Sequence, residues 1–183
     1  MTNQLACMLE FISAAGQVRR YHVCTVLKDE TVAAHSFEVA WIAWLVYGRR
    51  IRVPLLLAAL AHDMAELVVG DMPAHTKRML SAEARTELYS LEQQILESNG
   101  VIVGELTLLE QSVLEVSDRL ALLMHCAREL QLGNTTMRKV FYRGSGYALE
   151  SINEVTDKAK RARALALHDA LFTQYAEIVG GSK

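Results

Sequence analysis

The stretch Leu55-Leu56-Leu57-Ala58-Ala59-Leu60-Ala61-His62-Asp63-Met64-Ala65-Glu66-Leu67 is almost wholly apolar, yet it carries an imidazole and two carboxylates. A run so rich in Leu and Ala belongs to a buried helix. Burying His62, Asp63 and Glu66 in it is costly unless they are paired, hydrogen-bonded or bound to a metal. Successive helix positions point about 100° apart, so His62 and Asp63 do not face each other. An ion at the helix flank is within reach of both. Glu66 follows His62 by four positions and Asp63 by three, which puts it on the same wall. A metal site is the simplest way to accommodate all three.

The rest of the chain reads as helix almost throughout. Helical periodicity predicts helices over 4–15, 32–47, 54–69, 81–98, 107–132, 137–152 and 155–179. Thr31, Ser81 and Thr107 stand at N-cap positions, Pro54 suits a first turn, and Gly48 and Gly133 suit stops. Gly144-Ser145-Gly146 is a point where the 137–152 helix can break. Residues 17–29 lack a clean period and form a structured loop, and Gly70-Asp71-Met72-Pro73 forms a turn. No segment alternates with period two between hairpin signals. The expectation is one all-α domain over 1–183, with Gly-Gly-Ser-Lys as a frayed tail.

Composition removes several classes. A net charge of −2 with no basic stripe disfavours a nucleic-acid polymer as partner. The apolar run from Val39 to Tyr47 is too short to span a membrane. Three scattered cysteines, Cys7, Cys24 and Cys126, have no framework spacing and point to a reducing compartment. The first residues lack the basic start of a signal peptide. The expected location is the cytoplasm, of the host if a phage encodes the chain. A hydrophobic content of 51% points to tight burial or a subunit interface. There is no P-loop and no G-x-G-x-x-G.

Two further polar residues interrupt apolar helices, His35 in 32–47 and Asp118 in 107–132. A carboxylate on the apolar face of Leu114, Ala121 and Leu122 needs a cationic partner. His35, His62, Asp63 and Asp118 together make a two-nitrogen, two-oxygen donor set. It suits Mn²⁺, Co²⁺, Fe²⁺, Zn²⁺ or Ni²⁺ and suits Ca²⁺ poorly.

The order H…HD…D on successive helices resembles the HD-domain metal-dependent phosphohydrolases. The context is closer still: Arg20-Tyr21, Glu30 to His35-Ser36, His62-Asp63-Met64-Ala65-Glu66, Gly70-Asp71-Met72-Pro73 with Lys77, then Asp118. It resembles the 5'-deoxynucleotidase branch, and equally the small phage-type HD triphosphohydrolases acting on dATP. The resemblance covers roughly residues 15–130. It implies a helical bundle of six to eight helices and one divalent ion, Co²⁺, Mn²⁺ or Zn²⁺, held by His35, His62, Asp63 and Asp118. Mg²⁺ is an added option with a triphosphate. By the same resemblance Glu66 activates the attacking water, Asp71 binds the sugar 3'-hydroxyl, and Arg20 and Lys77 contact phosphate. Tyr21 stands where the family has Trp and packs on the deoxyribose. Val23 lies against the adenine edge in the phage type. A homo-oligomer, dimer or hexamer, is also implied. The short chain and Arg19-Arg20-Tyr21-His22 resemble the phage type more, so the expected reaction is dATP hydrolysis. The alternative is conversion of a deoxynucleoside monophosphate to deoxynucleoside and phosphate.

Competing readings carry their own markers. A catalytically inert helical module predicts a missing ligand, whereas every ligand position is filled. A di-iron oxygenase would recruit His22, His75 or His125, which read more simply as surface or supporting histidines. His168 and the Lys158 to Arg163 run read as a solvated helix face. Trp41, Trp44 and Tyr47 read as core or dimer interface, and Met8, Met64 and Met124 as core fillers.

Overall fold

The computed structural model describes the backbone of residues 2–180, and their side chains except at 2, 74, 75 and 176–180. The sequence readings of the His75 side chain and of residues 181–183 fall outside these. The helices are α1 (Thr2–Gly16), α2 (Val32–Tyr47), α3 (Val53–Ala61), α4 (Glu66–Val69), α5 (Ala74–Met79), α6 (Ala82–Ser98), α7 (Leu108–Gln131), α8 (Arg138–Glu154) and α9 (Lys158–Gly180), with a 3-10 turn at Thr135–Met137. The described residues contain no β-strand, only an isolated bridge between Arg19 and Thr31. The all-α expectation holds. No described helix is long and apolar enough to cross a membrane.

The caps act where the sequence puts them. Thr31 Oγ1 accepts from Ala34 N at 3.3 Å and Ser81 Oγ from Ala84 N at 3.2 Å. Thr107 and Glu110 form a full capping box, each side chain accepting from the other's backbone N–H. Buried Glu110 also takes Arg52 Nη1 at 2.9 Å, tying the start of α7 to the start of α3. Long α7 packs against α2, α3, α8 and α9. Val39, Val46, Leu55, Val116, Leu120, Leu123, Phe141 and Ile152 form the main core. A smaller cluster of Phe11, Ala15, Met64, Ile95 and Leu96 joins α1 and α6 to the segment after α3.

Several expectations change. The 54–69 helix is interrupted: α3 stops at Ala61 and α4 begins at Glu66. Between them Met64 N bonds Ala61 O and Glu66 N bonds Asp63 O, both reaching three residues back. This tightens the turn as in a 3-10 helix, so His62 and Asp63 leave ideal helical spacing. In contrast, α8 runs unbroken through Gly144 to Gly146. A Cβ at Gly144 would meet Leu122 and Leu123 side-chain atoms at 3.3 Å and 3.2 Å. This glycine therefore serves close helix packing. The last helix starts later than its periodicity suggests, because Asp157 Oδ1 accepts from Ala159 N and Lys160 N. His168 is buried, not solvated, with Nε2 2.8 Å from Ser145 Oγ. In the Lys158 to Arg163 run, Lys160 and Arg161 are half-buried, while exposed Arg163 donates to Val46 O and Tyr47 O at the end of α2. Trp41 and Trp44 are exposed and do not belong to this chain's core. Of the methionines read as core fillers, Met64 is buried and Met8 and Met124 are half-buried.

Candidate metal centre and cleft

His35 is fully buried in the second turn of α2, where the Thr31 cap fixes the helix start. Its Nε2 lies 2.9 Å from Asp118 Oδ1 and 3.6 Å from Asp63 Oδ2. His62 caps the C-terminus of α3, and its Nδ1 lies 3.0 Å from the Ala59 carbonyl. A carbonyl only accepts, so Nδ1 carries the proton, and the lone pair of neutral His62 is on Nε2. That Nε2 makes no hydrogen bond, although it lies 3.3 Å from Asp63 Oδ2 and 3.9 Å from Asp118 Oδ1. An orphaned, oriented imidazole nitrogen facing two carboxylates fits a transition-metal ligand. His35, His62 and Asp118 each offer an atom within 4.8 Å of the others. Asp63, the fourth expected ligand, sits beside this group with its carboxylate paired to Arg20.

Charge is concentrated here. Burial opposes a charged His62, yet Asp63 and Asp118 outweigh it and lift its pKa to about 10. Burial likewise opposes ionised Asp63, but His62 and Arg20 hold it well below the carboxylate range. Desolvation opposes an ionised Asp118, but its hydrogen bond to His35 and the nearby His62 hold it well below the carboxylate range. The carboxylates thus stabilise positive charge between them, which a divalent cation supplies more strongly than a proton. Glu66, buried at the start of α4, has an unbonded Oε2. Burial and the nearby Asp63 charge push its pKa up to about 8.

The structure puts Arg20, Tyr21 and Asp71 together on one flank. Arg20 is wedged between Asp63 and Glu30, its Nε 3.4 Å from Glu30 Oε2. Tyr21 has a φ of 60°, an unusual value for a bulky residue. Its backbone N–H donates to Asp71 Oδ2 at 3.2 Å, and its ring stacks on His125 with centroids 4.3 Å apart. His22 Nδ1 lies 3.1 Å from the same Asp71 oxygen. Val23 is 58% exposed. Lys77, on α5, pairs with Glu92 of α6 at 3.5 Å.

Two features escape the sequence reading. Buried Glu30 is a hub: its carboxylate lies 3.2 Å from His125 Nδ1, 3.4 Å from Arg128 Nη2 and 3.7 Å from His35 Nδ1. Burial would raise its pKa, but His125, His35 and Arg20 bring it below 4.5. Its only signal in the sequence is its place five residues before His35. The second feature is a cleft of about 810 Å³ bounded by α3, α6, residues 103–106 and α7, with His62 and Asp118 in its wall. Arg20, Tyr21, Val23 and Asp71 do not line it. Four separated segments make the cleft, and no local pattern announces it.

A family model described as 5'-deoxynucleotidase YfbR-like matches residues 8–162. A 5'-deoxynucleotidase of Xenopus laevis is 29% identical over 48% of this chain and 55% of its own length. A 5'-deoxynucleotidase of Vibrio atlanticus is 23% identical over 64% of this chain and 71% of its own. The chain therefore spans little more than half of the frog relative. Among solved structures, an HD-domain phosphohydrolase from Listeria innocua covers 95% of this chain and 97% of its own, at TM-score 0.64 and 22% identity. A cyanophage S-2L HD phosphohydrolase, bound to dA and one catalytic Zn²⁺, covers 94% and 96% at TM-score 0.68 and 14% identity. At those identities the likeness establishes a shared fold.

Proposed function

The chain belongs to the 5'-deoxynucleotidase YfbR-like family, and from that premise we propose that it is a metal-dependent 5'-deoxymononucleotidase. It converts a deoxynucleoside monophosphate and water to deoxynucleoside and phosphate. The observation that carries this reading is the unbonded His62 Nε2 facing Asp63 and Asp118 beside His35. The dATP triphosphohydrolase expectation gives way, because the family and both sequence relatives carry the 5'-deoxynucleotidase name. The cyanophage enzyme shares the fold at 14% identity, too little to carry its substrate across.

His35, His62 and Asp118 would hold one ion, with Asp63 as fourth ligand; Co²⁺, Mn²⁺ and Zn²⁺ suit these donors. When bound, such an ion supplies positive charge that polarises the phosphoryl group and acidifies water. Glu66 takes the proton of the attacking water through its unbonded Oε2. Arg20, beside Asp63, offers planar donors to phosphate oxygens. Lys77 adds a second positive charge, and Asp71 and Tyr21 contact the sugar. The exposed Phe37, Trp41, Trp44 and Leu45 of α2 give an apolar face on which a homo-oligomer assembles.

Orthophosphate release from the four deoxynucleoside monophosphates, with Co²⁺ or Mn²⁺ and with excess chelator, tests this proposal. Metal-dependent release from at least one of them is expected. Release that persists unchanged in chelator would remove the metal from the reaction, and none from any of them would remove the activity.

A further inference from the structure

Glu30 divides its two carboxylate oxygens between two neighbourhoods. Oε2 faces the metal side, 3.7 Å from His35 Nδ1 and 3.4 Å from Arg20 Nε. Oε1 faces the other way, 3.2 Å from His125 Nδ1 and 3.4 Å from Arg128 Nη2. His125 is buried on α7. It follows Asp118 by seven residues, about two helical turns, and so shares its face. It does not belong to the group formed by His35, His62 and Asp118.

The imidazole of His125 meets Tyr21 instead. The two rings are 7° from parallel, with centroids 4.3 Å apart. Aromatic rings in such contact attract beyond the area they bury. The contact matters because Tyr21 does not favour its own conformation. A φ of 60° costs a bulky residue energy that its surroundings must supply. Asp71 Oδ2 accepts the Tyr21 N–H at 3.2 Å, and Cys24 N donates to the Tyr21 carbonyl at 2.8 Å. Those bonds fix the backbone and leave the ring free to turn. The Tyr21 hydroxyl is buried without a hydrogen bond, so its tip does not orient the ring. The Arg20 guanidinium stands 5.7 Å from the ring centroid, at the outer limit of a cation–π contact. The stack on His125 is the close contact that sets the ring, and Glu30 sets the imidazole.

We propose that His125 is a positioning residue for sugar selection: its stack holds the Tyr21 ring against the deoxyribose and so excludes a 2'-hydroxyl. This role rests on the deoxynucleotidase reading. It gives Glu30 two separable outputs, metal affinity through Oε2 and sugar choice through Oε1.

The test compares kcat/KM for dAMP with that for AMP, its ribose counterpart, on the metal-loaded protein. Two variants of similar size separate the functions of the histidine, each checked for a wild-type melting temperature. His125→Gln keeps a donor for Glu30 and loses the ring. His125→Phe keeps the ring and loses the donor. The dAMP to AMP ratio should fall about three- to tenfold in His125→Gln, the size expected from one aromatic stack. The fall should come through KM, with kcat and metal content as in wild type. His125→Phe should keep the wild-type ratio. In a Tyr21→Ala background His125→Gln should lower the ratio no further. An unchanged ratio in His125→Gln, or an equal fall in His125→Phe, would overturn the role. So would a further fall in the Tyr21→Ala background, or a wild type that treats dAMP and AMP alike. Calorimetric binding of deoxyadenosine and adenosine reads sugar choice without turnover. If no deoxynucleotide is hydrolysed, the nucleotidase reading fails, but a deoxyadenosine preference lost in His125→Gln and kept in His125→Phe still supports the positioning role. Equal wild-type affinity for the two nucleosides, or binding of neither, overturns it.

Discussion

On one flank of the histidine pair the protein binds itself. Arg20 joins Asp63 to Glu30, Asp71 holds the Tyr21 backbone and His22, and Glu129 accepts from Leu27 N and Lys28 N at 2.7 and 2.8 Å. On the other flank the same centre borders an open cleft whose walls are apolar, amide-bearing or acidic. Both flanks carry carboxylates; Arg20 pairs with Asp63 on the first, and Lys77 pairs with Glu92 in the cleft wall. The difference teaches that one centre can border both a self-paired loop and an open cleft. The fold sets that arrangement by inserting a tight turn at His62–Ala65, between α3 and α4.

The strongest way to break this comparison is to remove the shared centre. His62→Ala and Asp118→Ala should each abolish metal retention, measured by elemental analysis, together with turnover. Wild-type metal content in both variants would place the ion elsewhere. Next in size, Glu66→Gln should retain metal while kcat falls by about 10²–10⁴-fold, the usual worth of a general base. An unchanged kcat would take Glu66 out of the reaction. Glu30→Gln weakens the closed flank from behind. Glu30 stands 3.7 Å from His35 Nδ1. A loss of about 10–100-fold in metal affinity is therefore expected. Metal titration equal to wild type would reduce Glu30 to loop packing.

The smallest effect is on the loop itself. Burial would raise the pKa of Glu129, but Asn134, Leu27 N and Lys28 N outweigh it and lower it from 4.5. A depressed folded pKa contributes stability that is complete above the unfolded value. That contribution is lost as pH falls below 4.5 toward the folded value. Amide exchange at Leu27 and Lys28 should therefore speed up on acidification, and less so in Glu129→Gln. Identical acid profiles would mean that another group holds the loop.

How much of this is legible in the sequence depends on the range of the interaction. Thr31, Ser81 and Thr107 declare their helices because a cap is decided within four residues. His35, His62 and Asp118 stand out because polar groups on apolar helices need partners. The break after Ala61 is hidden, since the apolar pattern runs through it and only the hydrogen bonds shorten their reach. Six-residue α5 is too short to show a period. His168 reads as solvated because the basic residues at the start of α9 suggest solvent. Its partner Ser145 lies on a different helix and comes from tertiary packing. The cleft is illegible for the same reason: Tyr89, Gln93 and Gln111 look like ordinary surface residues until α6 and α7 are set side by side.

The most direct test of the central claim sets dAMP against dATP at equal concentration. The metal-stripped protein is reloaded with Co²⁺ or Mn²⁺, and the products are separated by chromatography. Deoxyadenosine and orthophosphate should form from dAMP only after reloading, with no tripolyphosphate from dATP. Deoxyadenosine and tripolyphosphate released from dATP, while dAMP stays intact, would contradict the account.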